Sequence, residues 1–202
     1  MSVPDWPVTR GHGLLEGFLA RQRARRANSL IPAVLRTGRI LDLGCGSYPT
    51  FLLNTKFAER YGVDRVTLPT LNVQNLKLIA HDVSDRSPLP FRDDFFDVVT
   101  MLAVFEHLES GPLSSLLIEI RRVLRPGGIY VMTTPLRWTE GILKAMSRLG
   151  LVSHEEIGEH EAQYTSNDVA ALLAVAGFHS SLIRRGTFEL GVNLWAVAQK
   201  ES

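Results

Sequence analysis

The stretch RILDLGCGSYP, Arg39–Pro49, decides the fold. Ile40, Leu41 and Leu43 form the apolar end of a buried strand, and Gly44 and Gly46 follow where that strand must turn. Glycine reaches backbone angles closed to other residues and lets a ligand approach the main chain. Asp42 falls at the end of the strand, where a carboxylate is costly unless something partners it. Strand, acid, glycine loop and following helix together describe a nucleotide-type cofactor site in an α/β domain. A dinucleotide loop would continue to a third glycine in G-x-G-x-x-G, but Pro49 stands in that place. No Lys-Ser or Lys-Thr pair follows, so the loop is not a phosphate-cradling P-loop. A ligand without a pyrophosphate fits better.

Composition narrows the setting. The 202 residues are 45% hydrophobic, enough for one substantial core. A formal net charge of +1 gives no global pull toward nucleic acid or anionic membrane. Cys45 is the only cysteine, which excludes an intramolecular disulfide and suits a reducing, cytoplasmic setting. No apolar run approaches the roughly 18 residues that cross a bilayer, so no stable membrane insertion is expected. The opening MSVPDWPVTRGHG has no apolar signal core, so export is not expected either.

From Arg39 onward strand and helix patterns alternate, which predicts an α/β fold. The expected strands are Ile40–Leu43, Tyr61–Asp64, Lys77–His81, Phe96–Leu102, Gly128–Thr133, Phe178–Arg185 and Leu194–Gln199. The expected helices are Leu14–Leu30, Thr50–Arg60, Leu113–Leu124, Glu140–Leu149 and Ser166–Ala176. These give a Rossmann-like, mostly parallel seven-stranded sheet with helices on both faces. The short Glu189–Asn193 connection permits a hairpin, making the terminal strand antiparallel. Arg125-Pro126-Gly127-Gly128 should stop the Leu113 helix, and Thr165 or Ser166 should cap the later one. Between the second and third strands Val66–Asn75 shows no helical period. Two regions are expected: an N-terminal helical arm, 1–38, and a catalytic domain, 39–202, with 136–164 as a substrate-lid insertion.

Two further acids sharpen the cofactor. Asp64 lies twenty residues after Gly44 at the end of the second strand, a spacing suited to ribose hydroxyls; otherwise it is a turn aspartate. Asp82, after the third strand, could accept from an adenine amino group, or simply cap its own turn. A dinucleotide site has no general need for that third acid.

With these pieces in place the chain resembles the class I S-adenosylmethionine-dependent methyltransferases, in the branch acting on small molecules. The resemblance rests on LDLGCGS, YGVD, HDV, LPFRDDFFDVV and RRVLRPGGIYVMTTP, which occur in the family's order between about Arg39 and Pro135. Tyr48 departs from the pattern, where many members carry a third glycine. The resemblance implies S-adenosyl-L-methionine as cofactor. It assigns Asp42, Gly44, Cys45 and Gly46 to the methionine portion, Asp64 with adjoining Arg65 to the ribose, and Asp82 with Val83 to the adenine. It offers the backbone carbonyl of Leu102 or Ala103 to the cofactor's amino group. Cys45 reads as a small loop filler rather than a nucleophile.

The segment AVFEHLES after the fourth strand places Glu106 and His107 at the cofactor edge. His107 is the candidate base, since its unperturbed pKa of roughly 6.5 allows proton exchange near neutrality; it also reads as a histidine packed beside the cofactor. Glu106 could hold a substrate amine or merely favour a helix N-terminus. Trp6, Arg10 and His12 could fold over the pocket or fray. His154 and His160 with Glu155, Glu156, Glu159 and Glu161 lack a recognised metal spacing and read as a solvated surface, so no metal is expected.

The expected partner is a small-molecule methyl acceptor, methylated at oxygen or nitrogen. An RNA acceptor gripped by the Arg21–Arg26 run is the enzyme alternative. Against it, the chain has no D/N-P-P-Y/F tetrapeptide after the fourth strand, and Arg21, Arg25 and Arg26 read as one exposed helix face. A methyltransferase-like binding module without turnover is the third reading.

Overall fold

The computed structural model describes residues 16–66, 71–135, 164–189 and 191–202. The expected helix Glu140–Leu149, the insertion 136–163, the His154–Glu161 cluster, Trp6, Arg10 and His12 all lie outside the described residues.

Seven strands form one sheet: β1 (Arg39–Leu43), β2 (Glu59–Asp64), β3 (Leu76–Ala80), β4 (Phe96–Leu102), β5 (Leu124–Pro135), β6 (Ile183–Phe188) and β7 (Asn193–Gln199). Their spatial order is β3-β2-β1-β4-β5-β7-β6. The β1–β2, β1–β4, β2–β3 and β4–β5 pairs are parallel, while β7 runs antiparallel to both β5 and β6. The chain order reverses between β1 and β4, and a ligand crevice opens at the strands' carboxyl ends beside such a switch point.

Helices cover both faces because successive side chains on a strand point to opposite sides. On one face α1 (Glu16–Leu30), a 3-10 turn over Ala33–Thr37, and α2 (Thr50–Leu53) bury Ala27, Ile31, Leu35 and Leu52 against Ile40, Val98, Val131 and Val197. On the other, α3 (Ser110–Val123) and α4 (Ser166–Val175) pack on Leu41, Leu43, Val99, Met101, Tyr130 and Met132. In α3 the buried residues Leu113, Leu116, Leu117 and Ile120 recur at helical spacing and form its inward stripe. The N-terminal helix therefore belongs to the core: Ala27 is fully buried.

Local chemistry explains where the elements depart from expectation. The helix expected over Thr50–Arg60 stops at Leu53. Thr55 turns inward to bond Asn28 Oδ1 at 2.7 Å, and the Ala58 and Glu59 amides pair with Arg36 and Gly38, so the chain is already entering β2. Arg125–Gly128 does not precede β5 but forms a bulge within it: Leu124 pairs with Phe96 and Ile129 with Val98. Asp97, opposite the bulge, accepts from the Arg39 amide at 2.7 Å and pairs with Arg125 at 2.6 Å. Thr165 caps α4 in a reciprocal box with Asp168, and Gly177 follows the helix with φ +95°. The expected Phe178–Arg185 strand starts only at Ile183, because His179 caps a 3-10 turn over Ser180–Leu182. No helix lies among the described residues between β2 and β3.

The loop before β4 is held by one side chain. Arg122 donates to both Glu119 oxygens (2.8 and 2.7 Å), to Asp93 (2.7 Å), and to the carbonyls of Leu89 (3.1 Å) and Phe91 (2.8 Å). The loop's Phe91 and Phe95 pack edge-on to Tyr61 and Phe96. Lysine carries the charge but not the planar fork. Arg122→Lys is expected to lower stability by roughly 1–3 kcal/mol in urea unfolding, since hydrogen bonds to a charged group are lost. An unchanged midpoint would mean that the aromatic contacts alone hold the loop.

Candidate active site

The β1 loop folds back over the end of β2. The amides of Gly44 and Cys45 both donate to the Val63 carbonyl, at 2.8 and 3.2 Å. The Gly46 amide donates to Asp64 Oδ2 at 2.7 Å, and Asp64 Oδ1 accepts from the Val66 amide at 3.1 Å. Gly44 and Gly46 hold φ of +73° and +75°, the left-handed region in which a side chain is strained. Gly44 is doubly constrained, because a Cβ there would lie 2.3 Å from Val104 Cγ2. Pro49, in place of a third glycine, is buried and begins α2, whose first turn bonds to its carbonyl at 3.0 Å.

Asp42 and Asp64 are 4% and 5% exposed. Asp42 faces Thr100 on β4, its register partner, whose hydroxyl donates to Oδ1 at 2.6 Å. Burial pushes the Asp42 carboxyl up to about 7; the Thr100 bond opposes the shift and the nearby Asp64 charge adds to it. Neither acid has a cationic side chain within ion-pair distance among the described residues. Two buried acids lacking a counter-charge fit a cationic ligand, and S-adenosylmethionine carries both a sulfonium and an ammonium. Thr100 was not singled out from sequence, although its place two residues after Val98 on the same strand face could have found it.

Cys45 is 7% exposed, and burial, with the Asp42 and Asp64 charges, pushes its thiol up, away from the reactive thiolate. A Cβ on Gly62 would lie 2.9 Å from its sulfur, so the thiol fills the space above that glycine. Arg65 is exposed beside the site, and its charge helps hold Asp82 below the usual carboxylate range. The larger causes there are the Ser84 hydroxyl and amide, both bonded to Asp82 Oδ1 at 2.7 and 2.9 Å. Asp82 thus caps its own turn, while its Oδ2 has no protein donor among the described residues. Val83 is half-buried next to it.

Beyond β4, Ala103 adopts φ +56°, rare for a residue with a side chain, and its amide donates to the Thr133 carbonyl at 3.0 Å. Leu102 is half-buried on the face covered by α1. Glu106 is 4% exposed and accepts from the Thr134 hydroxyl at 2.9 Å. His107, half-buried, ends the 3-10 turn Phe105–His107, with its amide on the Val104 carbonyl at 3.0 Å.

The methyltransferase domain family matches residues 41–132, the span from β1 to β5 that builds this crevice. The chain is 33% identical over 188 residues to malonyl-(acyl-carrier protein) O-methyltransferase of Geobacter sulfurreducens, covering 85% of this chain and 68% of that relative. The chain belongs to the class I S-adenosylmethionine-dependent methyltransferases, and S-adenosylmethionine is its cofactor. Among solved structures, an S-adenosylmethionine-dependent methyltransferase from Archaeoglobus fulgidus has a TM-score of 0.68 at 16% identity, over 92% of this chain and 97% of that one. Burkholderia thailandensis 1,6-didemethyltoxoflavin-N1-methyltransferase, solved with 1,6-didemethyltoxoflavin and S-adenosylhomocysteine, has a TM-score of 0.65 at 19% identity, over 92% and 81%. These structures share the fold.

A pH dependence follows from Asp42. Folding raises its pKa from 3.8 to about 7, so in that window the folded chain holds a proton that the unfolded chain releases. Stability therefore falls as pH rises through the window, by up to about 4 kcal/mol at 1.36 kcal/mol per unit. Asp42→Asn keeps an acceptor for Thr100 without the charge. It is expected to stabilise the ligand-free protein at pH 8, and at pH 5 by roughly 40% as much because the unfolded carboxyl is already ionised there, read as Tm at both pH values. Equal effects at the two values would refute the raised carboxyl.

Proposed function

We propose that the protein transfers a methyl group from S-adenosylmethionine to an oxygen or nitrogen of a small-molecule acceptor. The likeness to the malonyl-(acyl-carrier protein) O-methyltransferase over most of the chain carries this reading. The small-molecule acceptor of the toxoflavin enzyme is consistent with it. One feature of the fold weighs against the RNA alternative. Arg26, part of the basic run, lies over the Trp195 ring with its guanidinium carbon 4.6 Å from the centroid. Arg21 and Arg25 remain exposed, so the run is not one continuous phosphate-facing stripe.

In this reading the chain's own groups bind and align. Asp64 accepts the ribose hydroxyls while its existing bonds to Gly46 and Val66 hold the loop in place. Asp82 Oδ2 receives the adenine amino group, and the Val83 amide meets a ring nitrogen. The Ala103 carbonyl, turned by its left-handed φ, receives the amino group of the methionine portion, with Asp42 supplying negative charge nearby. The bound cofactor supplies an already activated methyl on its sulfonium. The protein's task is then mainly alignment, which can contribute on the order of 7–11 kcal/mol of the barrier. Glu106 acts as a positioning residue, tying the turn that carries His107 to β5 through Thr134. His107 takes a proton where the acceptor is an alcohol or a protonated amine.

Calorimetry with S-adenosylmethionine and S-adenosylhomocysteine tests the cofactor assignments. Asp64→Ala should weaken both at least tenfold, and unchanged affinity would refute the ribose role. Methyl incorporation across a panel of small acids, amines and alcohols, with RNA alongside, tests the acceptor. Incorporation into RNA alone would reverse the order of readings, and cofactor binding without any turnover would favour a binding module. His107→Ala should lose most turnover with little change in cofactor affinity; near-normal turnover would remove the base.

A further inference from the structure

Thr100 stands on β4 as the register partner of Asp42 on β1, and it is fully buried. Its hydroxyl oxygen lies within hydrogen-bond reach of two acceptors, Asp42 Oδ1 at 2.6 Å and the Leu41 carbonyl at 3.3 Å. A hydroxyl has one proton to donate and lone pairs with which to accept. When Asp42 is ionised, that proton goes to the carboxylate. When Asp42 is protonated, its own O–H can donate to Thr100, whose proton then turns to Leu41. The oxygens keep their places, and Asp42 has a hydrogen-bond partner in either state.

The neighbouring acid lacks this arrangement. Both Asp64 oxygens accept from amides, of Gly46 and Val66, and an amide N–H can only donate. Of the two buried acids, Asp42 is therefore the one whose partner, among the described residues, can receive a proton from it. The titratable groups close to Asp42 are Asp64 from β2 and the Cys45 thiol from the loop, and neither is a cation. Burial pushes the Asp42 carboxyl up to about 7. Below that pH the ligand-free chain holds a proton on Asp42, whereas the cofactor arrives with a positively charged amino group.

Resting on the cofactor assignments above, we propose that Thr100 is a positioning residue of the cofactor site, its hydroxyl turning from the Leu41 carbonyl to Asp42 as cofactor binding drives the Asp42 proton into solvent. The Asp42 O–H bond breaks, its electron pair stays on the carboxylate, and the buffer takes the proton. The charge so exposed meets the amino group of the methionine portion, and the Thr100 hydroxyl stabilises it from β4. S-adenosylhomocysteine keeps that amino group and drives the same release.

The test is calorimetry of S-adenosylhomocysteine binding to the full chain at pH 6, in MES and in bis-Tris. These buffers differ in ionisation enthalpy, so the difference in heat counts the protons released. Wild type should release more than about half a proton, and its affinity should tighten about tenfold between pH 5.5 and 7.5. Thr100→Ser keeps the hydroxyl and should reproduce that profile. Thr100→Val should move the midpoint up by about one pH unit, because a hydrogen bond to the charged carboxylate is worth more than one to the neutral acid. A purely structural role would instead weaken binding equally at every pH. Asp42→Asn should release no proton and lose the dependence. No release from wild type, release that survives Asp42→Asn, or a Thr100→Val profile with the wild-type midpoint would overturn the proposal while the methyltransferase reading stands. Failure of S-adenosylhomocysteine itself to bind would bring down both.

Discussion

The return of the β1 loop over the end of β2 is the constraint on which the rest of the site depends. Three amides, of Gly44, Cys45 and Gly46, reach across to Val63 and Asp64. That geometry requires positive φ at both glycines and leaves no room beside Gly44 for a side chain facing Val104. It also draws two buried carboxylates together, because Asp42 is the last but one residue of β1 and Asp64 ends the neighbouring β2. The backbone solution thus creates an electrostatic debt. No cationic side chain among the described residues pairs with either acid, so a cationic ligand suits them.

The same economy recurs at the far end of β4. Ala103 is held in a strained backbone region by its bond to β5, and Glu106 is drawn inward by Thr134. Both contacts fasten the turn after β4 to the strand beside it. Backbone strain of this kind persists only where surrounding structure over-determines it.

What could be read from the amino acids alone follows how local each cause is. Gly44, Gly46 and Asp64 were legible because a glycine turn and an acid one strand later carry their geometry in their own spacing. The Thr165 cap and the β6–β7 hairpin were legible for the same reason. The early end of α2 was not, because it depends on Thr55 meeting Asn28, twenty-seven residues back. The bulge at Arg125–Gly128 depends on Asp97 across the sheet, and so looked like a simple stop. Arg26 was read with Arg21 and Arg25 as one outward face, but it lies over Trp195, a partner fixed only by sheet register. The inward turn of Glu106 was hidden likewise, since Thr134 sits on another strand.

The packing of Cys45 over Gly62 has a practical side. The sole thiol of the chain is shielded and held in its unreactive form at the floor of the cofactor loop. A cysteine placed anywhere on the surface would therefore react with a maleimide dye or spin label in preference to the native one. Residues 136–163 could be followed spectroscopically in an otherwise natural chain, with the glycine loop left intact.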